Sequence, residues 1–240
     1  MNDGGGQIIK DIAGVSNGTG INNPISYPGK YGNTFQFNGT SQCVQLPFSI
    51  TKALDGGTQV TLSTWFKGST IQSVIRMQPD SGQYAILGYA GNSVLTSFDG
   101  SLNFVRSPND DVWHHVLWTW KANTTNGFQT YIDGVLDSQK NSANVTMSLG
   151  ITGTNPGFGA YDCGGSVQAE YVNGSVFGIR IYNRALSAQE VRQLYVQPFA
   201  GFAQPARRAY SIAASRGLFM PPNLSGLGSG GSFFSDMLGG

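Results

Sequence analysis

The most constraining feature of this 240-residue chain is a series of short runs rich in β-branched and aromatic residues, separated by turn-forming residues. Two of the separations are Asp-Gly pairs, Asp99-Gly100 and Asp133-Gly134, and this dipeptide favours a two-residue β-hairpin. Many short strands with turn signals at this spacing are typical of an antiparallel sandwich or barrel. The sequence therefore predicts an all-β fold.

The pattern assigns most of the chain to strands and only one segment to a helix. Residues 1–33 are rich in Gly and Asn and show only a weak pattern. A short helix is predicted over 187–195, because Ser187 and Glu190 form a capping box. Pro198 then ends it. Strands are predicted near residues 34–38, 42–48, 60–66, 71–77, 83–89, 93–98, 102–106, 112–121, 128–133, 135–139, 145–149, 167–171 and 174–182.

Charge and hydropathy exclude several classes of partner. Charged residues make up 11% of the chain, against about 25% in typical globular proteins. The formal net charge of +1 provides no overall basic field for nucleic acid. No run approaches the length of about 18 apolar residues needed for a membrane span, and the first residues lack the pattern of a secretion signal. We therefore expect no nucleic-acid and no membrane partner.

A set of stretches combines aromatic strands with a capped helix: 31–39 with 44–46, 60–66, 113–120, 131–134 and 178–187 with Glu190, Leu194 and Tyr195. Together these stretches resemble the concanavalin A-like, laminin-G-like jelly-roll family. The resemblance covers about residues 30–196 and implies a two-sheet antiparallel jelly-roll sandwich with one short C-terminal helix and an extended C-terminal arm. It divides the chain into an N-terminal segment (1–29), a jelly-roll domain (30–196) and a C-terminal arm (197–240).

The glutamates decide whether catalysis is expected. Glycosidases of this fold need two carboxylates about 5–9.5 Å apart. The sequence contains only two glutamates, Glu170 and Glu190, and Glu190 already caps the predicted helix. The adjacent Asp110 and Asp111 would face opposite sides of a strand. We therefore predict no enzymatic activity, and a glycoside hydrolase that depends on Glu170 is the disfavoured alternative.

One predicted strand contains three tryptophans and both histidines of the chain. Trp118 and Trp120 are two residues apart and share a face, where they either fill the core or form a platform for stacking sugars. Burial is the more common fate of tryptophan. His114 and His115 point to opposite faces, so they cannot bind one metal ion together. We expect hydrogen-bonded structural roles for both.

The sequence assigns no cofactor and no metal ligands. Cys43 and Cys163 either pair or remain two buried free thiols, and the sequence leaves both alternatives open. Calcium is common in the wider family, and Asp99 and Asp162 are the candidate calcium ligands in the predicted loops. The alternating aspartates typical of a dedicated calcium loop are absent.

The C-terminal tail from residue 197 onwards differs in composition from the rest of the chain. It holds five phenylalanines, three arginines and a single acidic residue. The alternative interpretation is a disordered tail, but five phenylalanines are unusual for a disordered segment. We predict an assembly arm whose rings insert into neighbouring subunits and whose arginines pair with acidic surface. Its predicted partner-binding residues are Phe199, Phe202, Arg207, Arg208, Phe219, Phe233 and Phe234.

Chains of this type that end in such a tail are similar to proteins encoded by bacteriophages. The resemblance implies a non-enzymatic structural protein of the virion, used as a capsid decoration, a head fibre or a tail-associated protein. Its expected partners are further copies of itself, in a homo-oligomer, and capsid or tail subunits. A carbohydrate-binding or adhesion module that contacts a host-surface glycan is the alternative.

Overall fold

The computed structural model describes residues 7–11, 16–29, 32–68, 73–77, 85–90, 93–98, 101–106, 111–142, 146–147, 149, 155–165 and 170–198. Within these ranges the chain is almost entirely β-structure with two short helices. Neither of these helices has the length and apolar composition required to cross a membrane.

The elements of the described residues follow one another in the order given by their numbers. The strands are β1 (Gln7–Ile9), β2 (Gly18–Ile21), β3 (Ile25–Gly29), β4 (Gly32–Asn38), β5 (Cys43–Gln45), β6 (Gln59–Gly68), β7 (Ser73–Met77), β8 (Ala85–Ala90), β9 (Ser93–Phe98), β10 (Ser101–Arg106), β11 (His114–Lys121), β12 (Phe128–Ile132), β13 (Val135–Lys140), β14 (Gly157–Phe158) and β15 (Asn173–Tyr182). The helices are α1 (Phe48–Leu54) and α2 (Ala188–Val196).

The strands form two antiparallel sheets. The eight-stranded sheet has the order β1-β2-β5-β14-β7-β8-β9-β10, and the seven-stranded sheet has the order β13-β12-β11-β6-β15-β4-β3. Neighbouring strands often come from distant parts of the chain: β15 lies between β6 and β4. The predicted all-β, two-sheet jelly-roll fold is confirmed. The predicted arm lies outside the described residues from residue 199 onwards.

The main hydrophobic core lies between the two sheets. In β11, Val116, Trp118 and Trp120 point into it and are at most 2% exposed. The ring of Trp118 meets the ring of Phe128 edge to face, with 5.5 Å between the centroids. Each buried tryptophan removes about 150–250 Å² from water. The interpretation of Trp118 and Trp120 as core residues, and not as a sugar platform, is confirmed.

The predicted hairpin at Asp133-Gly134 joins β12 to β13. Both turn residues have positive φ, 51° and 75°, as a two-residue hairpin of the primed type requires. Ile132 pairs directly with Val135 across the turn. At the other Asp-Gly pair, the flanking residues Phe98 and Ser101 pair in the same way, and the two turn residues themselves lie outside the described ranges.

The predicted C-terminal helix is present as α2. The Ser187 side chain accepts a hydrogen bond from the Glu190 N–H, and the Glu190 carboxylate accepts one from the Ser187 N–H at 2.9 Å. Val191 packs with Leu117 and Tyr131, which belong to β11 and β12. The helix therefore covers one part of the outer face of the seven-stranded sheet.

Several elements differ from those expected from the sequence. The strands β1, β2 and β3 were not predicted, because a run such as Gly-Thr-Gly-Ile has little strand propensity of its own and is held by pairing with its neighbours. Helix α1 was not predicted either, and Pro47 gives it no side-chain cap. The described residues of 145–149 and 167–171 contain no strand. Met147 instead exchanges backbone hydrogen bonds with Gly56 and Gly57.

The two cysteines form a disulfide. Cys43 and Cys163 are bonded with their Cα atoms 5.8 Å apart, across a sequence separation of 120 residues. Both are at most 1% exposed and pack with Ala160, Ile21 and Tyr171. Of the two alternatives left open by the sequence, the structure shows the bonded one. The bond ties the short strand β5 to the loop that follows β14.

Candidate functional site

The outer face of the seven-stranded sheet carries a row of side chains that come from four separate parts of the chain. Lys67 of β6 pairs with Ser175 of β15, and Ser175 pairs with Gln36 of β4. Trp113 directly precedes His114, which pairs with Phe66, so Trp113 comes beside Lys67. Residues in direct register on one face lie side by side. The row therefore runs across the strands.

This row lies in a groove with a volume of about 320 Å³. That volume is at the lower end of the range of small-molecule sites. Its lining is mostly polar, with one aromatic side chain from β3 and one from the residue before β11. The described lining residues are Tyr27, Gln36, Lys67, Gly68, Asp111, Trp113, Asn173, Gly174 and Ser175.

Two glycines on neighbouring strands are among the residues that line the groove. A Cβ atom on Gly68 would lie 2.6 Å from the Phe66 ring and 2.8 Å from the Asn173 carbonyl oxygen. A Cβ atom on Gly174 would lie 3.1 Å from the Gly68 Cα. Side chains are therefore excluded at these two positions by close packing on the core side of the sheet, next to Phe66.

The walls of the groove combine a tethered aromatic ring with charges of both signs. The Tyr27 hydroxyl shares a hydrogen bond of 2.9 Å with Ser175 Oγ, which links β3 to β15 across β4. Because the ring is held from the sheet, its orientation is set before any ligand arrives. Lys67 supplies an ammonium donor and Asp111 a carboxylate acceptor. The groove thus presents donors, acceptors and two aromatic rings.

Next to the groove, helix α2 covers an aromatic cluster on the same face of the sheet. The Tyr195 ring stacks on the Trp65 ring at 5.5 Å between centroids, and His115 lies within 6.2 Å of Tyr195. His115 Nε2 shares a hydrogen bond of 2.9 Å with Ser63 Oγ. Burial, followed by the charge of Arg180, lowers the pKa of His115 from 6.5 to about 4, against a smaller opposing effect of Asp133.

The structure supports the expected structural roles of both histidines. His115 is fully buried and bonded to Ser63, and His114 Nδ1 lies 2.7 Å from the Asp133 carboxylate. Asp133 also accepts a hydrogen bond from the His115 N–H through its other oxygen. The hairpin aspartate therefore organises both histidines from the turn, and neither histidine lines the groove.

The carboxylates considered from the sequence are engaged elsewhere. Glu170 lies 3.3 Å from Arg76 Nη1, and Glu190 is shared between the helix cap and Arg184. Asp162 Oδ1 accepts a hydrogen bond of 2.8 Å from the Asn155 N–H. No group of three or more His, Cys, Asp or Glu side chains comes together as a metal site among the described residues. Asp162 is therefore not joined by two further side chains of these types, and Asp99 lies outside the described ranges.

The predicted partner-binding residues of the tail lie outside the described residues. These are Phe199, Phe202, Arg207, Arg208, Phe219, Phe233 and Phe234. The groove, in turn, was not predicted from the sequence. Its members are single residues on different strands, and only the register between strands brings them together. The one available signal was the spacing of Ser63, Trp65 and Lys67, which are two residues apart and therefore share the outer face of β6.

A family profile and a curated relative match the body of the chain. The laminin-G-type family described as the Concanavalin A-like lectin/glucanases superfamily matches residues 38–192. The rat protein "Sushi, von Willebrand factor type A, EGF and pentraxin domain-containing protein 1" is 29% identical over 153 residues, which cover 56% of this chain and 4% of that protein. The chain thus spans only a small fraction of the length of this relative.

Solved structures share the fold at low identity. Domain 4 of AbnA, an extracellular GH43 arabinanase from Geobacillus stearothermophilus solved in complex with arabinotriose, has a TM-score of 0.52 at 18% identity. That match covers 76% of this chain and 88% of the other. A sialidase from Trypanosoma rangeli has a TM-score of 0.57 at 15% identity, covering 81% of this chain and 31% of the other. At these identities the likeness concerns the fold alone.

Proposed function

Because this chain belongs to the Concanavalin A-like lectin/glucanases superfamily, we propose that it is a non-enzymatic glycan-binding module whose ligand site is the groove on the seven-stranded sheet. The observation that carries the proposal is the cross-strand row, in which Trp113, Lys67 and Ser175 line one polar groove of about 320 Å³. The lectin-like sandwich provides the scaffold, and the side chains that line the groove provide the contacts to a sugar.

The composition of the groove suits a sugar. A sugar ring has an apolar face that packs on an aromatic side chain and hydroxyl groups that need donors and acceptors around its edge. Tyr27 and Trp113 offer the aromatic surfaces. Lys67, Gln36 and Asn173 offer donors and acceptors of the kind that determine orientation in small-molecule sites.

The carboxylates of the described residues support binding without hydrolysis. A glycosidase of this fold needs two acidic groups on either side of the scissile bond. Asp111 is the single carboxylate among the described lining residues of the groove, and Glu170 and Glu190 are paired with Arg76 and Arg184. We therefore propose recognition and not turnover. The arabinotriose bound in the AbnA structure supports a sugar as the ligand class.

Replacing Trp113 with alanine is expected to weaken glycan binding by about tenfold or more, because an aromatic stacking surface is lost. The binding partner is first identified on a glycan array, and the affinity is then measured by isothermal titration calorimetry. Tyr161→Ala is the matched control, since Tyr161 is also a partly buried aromatic but packs under Arg76 on the other sheet. Equal losses in both variants, or unchanged affinity of Trp113→Ala, would contradict the assignment of the groove.

We also propose, as a second candidate function, that the module serves as a virion component of the kind bacteriophages encode, anchored by its C-terminal arm. The support is the composition of the tail, with five phenylalanines and three arginines against one acidic residue. In this proposal the partners are further copies of the chain and capsid or tail subunits. The sandwich would then present its groove to a host-surface glycan.

Ending the chain after Pro198 is expected to leave a folded sandwich with unchanged glycan affinity. The shortened chain should no longer associate with the virion particle. The cut keeps Pro198 because its carbonyl oxygen accepts a hydrogen bond from Arg180. Light scattering measures the oligomeric state, and co-sedimentation measures association with the particle. The arm hypothesis fails if the shortened chain assembles as well as the full chain does.

A further inference from the structure

The open part of the groove is short in the direction across the strands. The Tyr27 ring reaches from β3 over β4 to the Ser175 hydroxyl, and Ser175 is only 7% exposed. The ring therefore covers the row at Ser175 and closes the groove on that side. From Ser175 to Trp113 two strand spacings of about 4.8 Å remain, or roughly 10 Å. This length suits one sugar ring with its substituents, and not a long oligosaccharide.

Lys67 lies between Ser175 and Trp113 in this open part, and its surroundings are unusual for a lysine. It is half-buried, whereas the other lysines whose side chains the structure describes are exposed: Lys10, Lys52, Lys121 and Lys140. Within the described part of the chain, no carboxylate oxygen lies within 4 Å of the Lys67 ammonium group. Partial removal of a cation from water without a countercharge costs free energy. A ligand that supplies an anion offsets part of this cost.

The second charged side chain among the described lining residues is Asp111. Asp111 is exposed, so water and salt screen its charge more strongly than they screen the charge of the half-buried Lys67. Lys67 therefore has the larger influence on the preferred charge of a ligand. The Asp111 carboxylate remains available as an acceptor for hydroxyl groups.

We infer that the groove binds a single sugar residue that carries an acidic group, carboxylate or sulfate, with Lys67 as the counter-ion of that group. This inference rests on the proposed glycan-binding function. The sugar ring packs on Trp113, its acidic group faces the Lys67 ammonium, and its hydroxyl groups face Asp111. Because an ammonium group is a compact charge with rotatable donors, either acidic group can form this contact.

The first test compares acidic glycans with their neutral counterparts on the unmodified protein. The array holds glycans that end in a uronic acid, a sialic acid or a sulfated sugar, each beside its carboxyl-reduced or desulfated form. We expect the acidic forms to bind about tenfold more tightly or better, because each neutral form lacks one charge-assisted hydrogen bond. The comparison of carboxylated with sulfated glycans identifies the acidic group that the site prefers.

The second test uses two variants that remove the same charge from different places. Lys67→Gln should lose most of the preference for the acidic form, measured by calorimetry. Lys121→Gln should keep it, because Lys121 lies at the opposite end of β11 from Trp113. Raising the salt concentration from about 50 to about 500 mM should weaken binding of the acidic form to the unmodified protein and much less to Lys67→Gln. Lys67→Arg retains the charge and should retain the preference.

The possible outcomes keep this inference separate from the proposed function. Tighter binding of acidic forms that depends on Lys67 and not on Lys121 supports the inference. Equal affinity for acidic and neutral forms, or an undiminished preference in Lys67→Gln, overturns it and leaves the glycan-binding function standing. Absence of binding to every glycan on the array overturns the proposed function and the inference together.

Discussion

Replacing Cys43 and Cys163 together with alanine is expected to lower the free energy of unfolding by about 2–5 kcal/mol. The bond closes a loop with a sequence separation of 120 residues, and closing a long loop removes much of the conformational entropy of the unfolded chain. Alanine is preferred to serine because both sites are buried, and an unpaired hydroxyl there would add a separate penalty. Guanidinium unfolding followed by fluorescence measures the loss.

The single variants Cys43→Ala and Cys163→Ala provide the internal control. Either one already breaks the bond, so each should lose nearly as much stability as the double variant, and the effects should not add. Reduction of the unmodified protein should destabilise it to a similar extent. A loss below about 1 kcal/mol in the double variant would show that the bond is not a main contributor to stability.

Lowering the pH from 7 to about 4 is expected to destabilise the protein by roughly 3 kcal/mol through His115 alone. Its pKa is about 4 in the folded state and 6.5 ordinarily, so between these values the unfolded chain binds a proton that the folded chain does not. Stability is therefore fully present above pH 6.5 and is lost as the pH falls towards 4. Urea unfolding at a series of pH values measures this slope.

The surroundings of His115 explain why its protonation is unfavourable. The ring is fully buried, and within the described part of the chain its Nδ1 has no hydrogen-bond partner. Arg180 adds an unfavourable like charge, and the Asp133 carboxylate compensates only in part. The ring packs beside Trp65 and Tyr195, and Tyr195 belongs to α2, so the buried site is part of the contact between that helix and the sheet.

Two substitutions at the neighbouring histidines isolate this effect. His115→Gln keeps a polar partner for Ser63 but removes the titrating group, so the decline between pH 6.5 and 4 should largely disappear. His114→Gln leaves His115 in place and should retain most of the decline. Equal slopes in the unmodified protein and in His115→Gln would exclude His115 as its source. The pKa of Glu190, lowered to about 2 by Arg184 and the helix cap, places its own contribution at lower pH.

Much of the fold could be predicted from local signals in the sequence. The turn at Asp133-Gly134, the capping box at Ser187 and the burial of Trp118 each depend on residues that are close together in the chain. Strands β1 to β3 depend instead on pairing with distant segments, and runs such as Gly-Thr-Gly-Ile contain no local signal for them.

The candidate site could not be predicted from the sequence, for a related reason. Gln36, Lys67, Trp113 and Ser175 are far apart in the sequence and form no motif. Their proximity follows from the order of β4, β15, β6 and β11 in the sheet and from the register of each pair. A shift of one residue in any pairing would turn a side chain to the other face. Such a site becomes visible only when the pairing is known.

One end of the groove lies outside the matched family region. The match begins at residue 38, whereas Tyr27 and Gln36, at this end of the groove, precede it. The same leading segment also contributes Phe35 and Phe37 to the core between the sheets. Successive residues of β4 therefore face the groove and the core in turn, so Gln36 can be replaced without removing a ring from the core.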